Sequence, residues 1–284
     1  MMDMPLTGRR CLALPVLALA LLPASALAQS KPAEAWPTTV QAHYRLKFNG
    51  LDVGQLDVTA STAGKNYSVT GNGKVSVLFG AVTWTAASSV SGTIDSGTPV
   101  PASYAFDWKS KKKAGVIKMR FKDRTAAHVE VAPAPEPHPD VVPLTPSHKT
   151  GALDPVSAVL MLTKADGRPP CDRRVGIFDG KNRYDIVLTY KRLTRIAPSK
   201  AGGASEVATV CRAMYQPIAG HRDNASTKTY AANRDVEVVM RRVPGSELLI
   251  PYSVSIPTAW GTGTMVTERI DVTTQSVGRV AMTR

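Results

Sequence analysis

Much of the chain after residue 39 alternates between apolar and polar residues with a period of two. In the first such stretch, residues 40–48, every second side chain is apolar, and Asn49-Gly50 follows directly. A period of two is typical of a strand with one buried face, and Asn-Gly is a strong signal for a tight hairpin. We therefore predict a strand over 40–48 that folds back onto a second strand over 55–60.

The same pattern predicts further strands along the chain. The lysine-rich segment Lys109–Lys113 interrupts two of them and is expected to form a hairpin tip. Turn residues separate most of the remaining stretches, which favours antiparallel neighbours. The predicted strands after the first hairpin cover residues 67–70, 82–94, 103–108, 117–122, 127–132, 175–178, 184–190, 206–215, 236–242, 249–256 and 264–272.

Two segments depart from the strand pattern. Six prolines between residues 133 and 146 predict an exposed loop without regular structure. After it, Asp154 can cap a helix, Pro155 suits the first helical position, and apolar residues form a stripe. This stripe consists of Val156, Val159, Leu160 and Leu162. The predicted fold is all-β and mainly antiparallel: a curved meander that closes into a partly open barrel or β-spiral with one short helix, in one domain over 29–284.

The N-terminus has the organisation of a secretory signal peptide. Arg9 and Arg10 precede the apolar run Cys11–Leu22, and small residues end at Ala28. We expect cleavage after Ala28, export to the periplasm and no lipid anchor, since no cysteine follows the cleavage site. The alternative, a structural N-terminal helix, would have to accommodate two prolines.

Composition and charge limit the partners of the mature chain. A hydrophobic fraction of 43% and a charged fraction of 20% describe an ordinary soluble protein. Loss of Arg9, Arg10 and Asp3 with the signal peptide lowers the net charge from +13 to +12. An exported basic protein meets anionic lipid headgroups rather than nucleic acid. We therefore expect attraction to anionic membrane surfaces and no nucleic-acid binding; the alternative is that the lysines only increase solubility. The lysines expected to contact the membrane surface are Lys109, Lys111, Lys112 and Lys113.

Cysteine usage agrees with export. Of three cysteines, Cys11 is removed with the signal peptide, and Cys171 and Cys211 remain. An even number in an oxidising compartment favours a disulfide. The alternative, a free nucleophilic cysteine, lacks a histidine nearby in sequence.

Several segments, in this order, resemble the bacterial exported proteins grouped as domain of unknown function 3108. They are Tyr44–Gly54, Asp154–Ala158, Phe178–Tyr184 and Tyr215–His221, with one cysteine just before the third and the other before the fourth. The resemblance covers nearly all of the mature chain. It implies a curved, partly closed antiparallel sheet and a role in the cell envelope, but no established activity, so it assigns no catalytic residue.

Motifs of known enzymes do not fit their required context. Ser110–Lys113 and Lys149–Gly151 match two boxes of penicillin-binding proteins, but the first lies in a predicted hairpin tip and only about 40 residues separate them. We predict a protein that is not an enzyme and holds no metal or cofactor; an unrecognised hydrolase is the least favoured alternative. The histidines, which lack metal-ligand spacing, are His43, His128, His138, His148 and His221.

The strand faces predict an apolar groove. Alanine and serine are frequent on them, and large side chains are too few to fill a wide barrel. We therefore expect a groove, partly plugged by the helix, that binds a lipid or another apolar envelope molecule. The alternative is that its aromatic residues form an ordinary core, which would favour a protein-interaction or scaffolding module for envelope integrity. The predicted lining is Tyr44, Trp84, Tyr104, Phe106, Trp108 and Met119.

Overall fold

The computed structural model describes residues 36–77, 80–164, 169–198, 205–244, 248–275 and 278–283. The predicted signal peptide lies outside these residues. Among the residues described, no helix has the length and hydropathy that crossing a bilayer requires.

The described residues form one antiparallel sheet of 14 strands, which confirms the predicted all-β class. Two α-helices and one 3-10 helix accompany it. The strands are β1 Thr39–Phe48, β2 Leu51–Ala63, β3 Asn66–Val77, β4 Val82–Asp95, β5 Thr98–Ser110, β6 Ala114–Lys122, β7 Thr125–Ala132, β8 Arg173–Phe178, β9 Arg183–Ile196, β10 Glu206–Ala219, β11 Glu237–Arg242, β12 Leu249–Thr258, β13 Gly261–Thr274 and β14 Gly278–Thr283. The helices are a 3-10 turn Pro146–Lys149, α1 Pro155–Thr163 and α2 Ala225–Ala232.

Two meanders meet in the middle of the sheet. Strands β1 to β7 lie side by side in chain order, as do β8 to β13, and β1 pairs with β13 to join the two halves. The path therefore ends at β7 on one side and β8 on the other, and the sheet is not closed. This arrangement agrees with the predicted curved, partly open meander.

A short segment between the 3-10 turn and α1 bridges the two ends of the sheet. Gly151 N donates to Arg124 O (2.8 Å) in the turn before β7. Two residues further on, Leu153 N donates to Gly176 O of β8 (2.9 Å) and Leu153 O accepts from Phe178 N (2.9 Å). The sheet thus curves until a few residues span its opening. We call the face that packs against α1 the concave face.

The local signals for turns and the first helix are confirmed. Asn49 and Gly50 adopt positive φ angles of 48° and 83°, as a tight hairpin requires. The lysine-rich segment is the β5–β6 tip, where Ser110 N donates to Lys113 O (2.7 Å). Helix α1 begins after Asp154 as predicted.

The structure also differs from the predicted elements. Strands β2 and β3 extend well beyond 55–60 and 67–70, because ladder hydrogen bonds continue through polar residues and glycines. Helix α2 and strand β14 were not predicted. No residue of α2 is buried, so it has no apolar stripe to signal it; its start is capped by Asn224, whose side chain accepts from Thr227 N.

Candidate functional site: an apolar cavity on the concave face

A cavity of about 450 Å³ lies between α1 and the concave face of the sheet. Its lining is almost entirely apolar, and none of the described residues that line it is charged. Strands from both meanders contribute, so the cavity exists only because β1 joins the two halves. The residues that line it are Trp36, Pro37, Val40, Ala42, Tyr44, Leu56, Val58, Ala60, Ser61, Thr62, Tyr67, Val69, Gly71, Ser88, Ile94, Pro99, Pro155, Val156, Val159, Leu160, Leu162, Thr163, Ile186, Leu188, Ala213, Val238, Met240, Leu248, Ile250, Pro251, Val254 and Met265.

The cavity opens to solvent beside α1. Val159 lines the cavity and is 49% exposed, which places the α1 side of the wall at the surface. Leu56, Val58 and Met265, on the sheet side, are only partly buried. Small-molecule sites in proteins typically occupy about 300–1,000 Å³ and bury an apolar ligand against such a lining. An apolar molecule therefore has both space and access.

Helix α1 forms part of this wall because seven of its nine residues are apolar. Asp154 starts the helix: its Oδ1 accepts from Val156 N and Ser157 N, both at 2.9 Å. On one side Ala158 packs against β8, and on another Leu160 faces the cavity. A helix with apolar residues on more than one side buries more than one side. In α1, some of these side chains pack against strands and others line the cavity.

A buried polar chain fixes α1 to the sheet. Ser157 Oγ donates to Asp154 Oδ2 (2.5 Å), and Tyr67 Oη of β3 lies 2.7 Å from Ser157 Oγ. Because the serine proton points to the carboxylate, the tyrosine hydroxyl is the donor in the second bond. Burial raises the pKa of Asp154 and of Tyr67. These groups satisfy one another, so their role is to hold the helix in place.

We expect Asp154→Asn to change the pH dependence of stability. Because burial raises the pKa of Asp154 above its ordinary value of 3.8, the folded state binds the proton more strongly than the unfolded state. The stabilisation from this group is complete below that value and is lost as pH rises through the raised pKa. The free energy of unfolding of the variant, relative to the wild type, should therefore increase as pH rises above 3.8 and through the raised pKa. Urea unfolding at several pH values measures it.

The exposed carboxylate Asp107 provides a matched control for this prediction. It lies on β5, away from α1, and Asp107→Asn makes the same chemical change at the surface. A difference between Asp154→Asn and wild type that stays constant with pH would contradict the prediction.

The predicted lining residues divide between the cavity and the rest of the concave face. Tyr44 lines the cavity, and burial raises its pKa. Tyr104 and Met119 lie in a neighbouring core cluster with Phe178, and Phe106 packs against that cluster. The structure thus brings one of these four residues to the cavity.

The two predicted tryptophans lie nearer the hairpin tips. Trp84 is 36% exposed and, like the cavity residue Leu56, lies next to Gly73. Trp108 covers Gly115 of the neighbouring strand β6. Both therefore lie outside the cavity lining.

Sequence reasoning missed most of the cavity wall. Val58, Val254 and Met265 follow the strand alternation, which identifies them as inward-facing. Alternation does not indicate which inward-facing side chains pack in the core and which line the cavity after α1 packs on the sheet. Aromatic size, the criterion used for the prediction, selects residues that fill the core rather than residues that leave space.

A family comparison places this architecture in a known group. The model of the family described as Protein of unknown function (DUF3108) matches residues 43–268, well over half of the chain. This protein belongs to the DUF3108 family. No curated protein and no solved structure matches the chain. The matched region contains α1 and every cavity residue from Tyr44 to Met265, so the cavity lies largely within the family's shared part.

The predicted disulfide is present in this DUF3108 protein. Cys171 and Cys211 are bonded, with their Cα atoms 5.1 Å apart. The bond joins the segment before β8 to β10, and both cysteines are buried beside Leu188 and Met240. Because those two residues also line the cavity, the disulfide packs against part of the cavity wall and supports it.

The lysine-rich tip is a compact positive surface. Lys109 is the penultimate residue of β5, and the other three lysines lie between β5 and β6; all four are exposed. None of them pairs with a carboxylate in the part of the chain that the structure describes. Attraction to anionic membranes remains a prediction.

Replacing Lys111, Lys112 and Lys113 with glutamine should weaken association with phosphatidylglycerol vesicles at low salt. Each lysine near such a surface contributes about 1 kcal/mol, and salt screens the effect beyond about 10 Å. Vesicle co-sedimentation at two salt concentrations measures it. Unchanged association at low salt would show that the tip only increases solubility. A control variant removes the same charge from exposed lysines elsewhere: Lys65, Lys118 and Lys122.

The candidate chemical motifs stay apart from the cavity. Ser110 lies in the exposed β5–β6 tip and donates to Lys113 O (3.0 Å), rather than starting a buried helix. His43 is exposed and lies 2.6 Å from Asp57. Within the described ranges, no three His, Cys, Asp or Glu side chains are arranged to hold a metal ion.

A second, more open cleft of about 1050 Å³ lies beside the proline-rich loop. Backbone pairing holds the loop there: Val142 N donates to His221 O (2.9 Å) and Val142 O accepts from Gly220 N (2.8 Å). Prolines, Lys181 and Arg222 are among the residues that line it. Charged and polar side chains thus contribute to the lining of this cleft, unlike that of the cavity beside α1.

Proposed function

We propose that this DUF3108 protein is a non-enzymatic periplasmic protein that binds one acyl chain, or a comparably apolar envelope molecule, in the cavity beside α1. The observation that carries the proposal is the uncharged, apolar lining of a cavity of about 450 Å³ that opens at Val159. The periplasmic location rests on the N-terminal pattern and on a disulfide that suits an oxidising compartment.

The energetics support an apolar occupant. Each methylene moved from water into such a lining contributes about 0.8 kcal/mol before the entropic costs of binding. Apolar space that stays empty destabilises a protein by about 24 cal/mol per Å³ in measured cavity series. A ligand that fills the cavity removes this cost and gains transfer free energy without any polar contact.

The absence of catalysis is part of the proposal. The polar groups nearest the cavity are neutral hydroxyls or belong to the Tyr67–Ser157–Asp154 chain, whose members bond to one another. Burial raises the pKa of Tyr44, so its hydroxyl stays protonated and uncharged at neutral pH. Such a lining suits retention of an apolar molecule rather than its chemical conversion.

Native mass spectrometry of protein purified from the periplasm tests the proposal. We expect an adduct that is released on denaturation and that lipid extraction recovers as an acyl-containing molecule. A fluorescent fatty acid added to delipidated protein should bind saturably. If the protein carries no adduct and the fatty acid does not bind, the cavity proposal is wrong, and the protein-interaction alternative should replace it.

A further inference from the structure

An exposed apolar row crosses four neighbouring strands at one end of the sheet. Ile256 pairs with Gly263, Gly263 with Phe48, and Phe48 with Leu51. Residues paired in this way project from the same face of a sheet. Ile256, Phe48 and Leu51 are 46%, 38% and 73% exposed, and Gly263 has no side chain to cover its neighbours.

Trp260 lies next to this row at the β12–β13 tip. It is 79% exposed. Asn49 ties the two hairpin tips together: Asn49 N donates to Thr262 O (3.0 Å), and Asn49 Oδ1 accepts from Thr262 N (2.8 Å). We call Phe48, Leu51, Ile256 and Trp260 the apolar rim.

The apolar rim continues directly into the cavity lining. Val254 and Met265 pair with each other two residues inward from Ile256 and Gly263, and both line the cavity. A period of two keeps them on the same face as the rim. An uninterrupted apolar surface thus leads from the hairpin tips to the cavity.

Charge around the rim favours an anionic partner. Arg45 and Lys47 are neutralised by Asp52 and Glu268, so the β1–β2 hairpin itself carries little net charge. The lysine-rich β5–β6 tip lies at the same end, because antiparallel strands place the β1–β2, β3–β4, β5–β6 and β12–β13 tips on one side of the sheet. Successive tips are two strands, or about 10 Å, apart along the sheet.

We propose that the apolar rim docks on the surface of an anionic phospholipid membrane. Tryptophan favours the headgroup region, and exposed leucine and phenylalanine side chains enter the acyl boundary. The lysine-rich tip supplies the matching attraction to anionic headgroups. Resting on the proposed function, this orientation places the apolar surface that continues into the cavity lining against the bilayer that would supply an acyl chain.

The double substitution Leu51→Ser/Trp260→Ser tests the proposal. We expect it to weaken co-sedimentation with phosphatidylglycerol-containing vesicles by about tenfold or more, since it removes two large apolar side chains from the interface. The remaining association should come from the lysines and disappear as salt is raised. Vesicles of phosphatidylcholine alone should bind the wild type more weakly.

Two controls separate docking from folding and from ligand binding. Leu193→Ser/Val207→Ser removes similarly exposed apolar side chains from β9 and β10 and should leave vesicle association unchanged. The single variant Trp260→Ser changes a highly exposed side chain and should show a smaller loss with wild-type thermal stability. Fatty-acid binding measured without vesicles should be unaffected by the rim substitutions, so failure of docking and failure of the cavity proposal are distinguishable.

Wild-type vesicle association in a correctly folded Leu51→Ser/Trp260→Ser variant would overturn the docking proposal. A second result would also overturn it: the wild type does not bind vesicles but self-associates, and the rim substitutions abolish this self-association. That second result would make the rim a protein interface.

Discussion

Filling the cavity with one larger side chain is expected to abolish useful binding of an acyl chain. Val58 of β2 lines the cavity and packs against two clusters of buried core residues. In Val58→Phe, the ring occupies space that the ligand needs. Loss of about four buried methylenes, at about 0.8 kcal/mol each, corresponds to about two hundredfold weaker affinity. Titration with a fluorescent fatty acid measures it.

The neighbouring position on the same strand provides a matched control. Thr59 is exposed and faces away from the cavity, so Thr59→Phe adds the same ring on the outer surface. It should bind the fatty acid like the wild type. Because cavity filling commonly stabilises a protein, Val58→Phe should unfold at or above the wild-type temperature. Wild-type affinity in Val58→Phe would show that the ligand binds elsewhere.

Removal of the disulfide is expected to produce the largest loss of stability. Cys171 and Cys211 are 40 residues apart in sequence, and a bridge over such a loop stabilises by about 4 kcal/mol in the chain-entropy model. For a domain of this size, that corresponds to a melting temperature about 8–16 °C lower. Cys171→Ala/Cys211→Ala is preferable to serine variants, because both positions are buried and a hydroxyl there would lack a partner.

Calorimetry of the alanine variant and of reduced wild-type protein should agree. The variant tests the loss of the bond together with a small loss of packing, whereas reduction removes only the bond. An unchanged melting temperature in both samples would contradict the chain-entropy argument. Because the disulfide supports Leu188 and Met240 in the cavity wall, the variant should also bind fatty acid more weakly.

Local chemistry in the sequence was sufficient for several elements. Asn49-Gly50 determined a hairpin because few residue pairs tolerate two positive φ angles. Asp154 and Pro155 determined where α1 begins, because a cap and a proline act within one turn. Two cysteines left after predicted export indicated the disulfide that the structure contains.

The candidate site shows where this local reasoning ends. Strand alternation identified Tyr44 and Met119 equally well as inward-facing, yet Tyr44 lines the cavity and Met119 is almost fully buried in a core cluster. The difference depends on which strands α1 covers, and those strands are distant from α1 in sequence. Strand β14 was missed for a related reason: it forms by pairing with β13, and only one of its six residues, Met282, is buried.

The sequence by itself determined the strand-rich class, the turns, the first helix and the cysteine pair, because each depends on neighbouring residues or on simple counting. Only the tertiary structure decided that β1 pairs with β13 and that residues 150–153 bridge the ends of the sheet. The pairing of β1 with β13 joins segments more than a hundred residues apart in sequence. The segment 150–153 crosses the opening between the two ends of the sheet. The cavity and the apolar rim are consequences of that non-local pairing, since the period of two determines which face a side chain occupies but not what covers it.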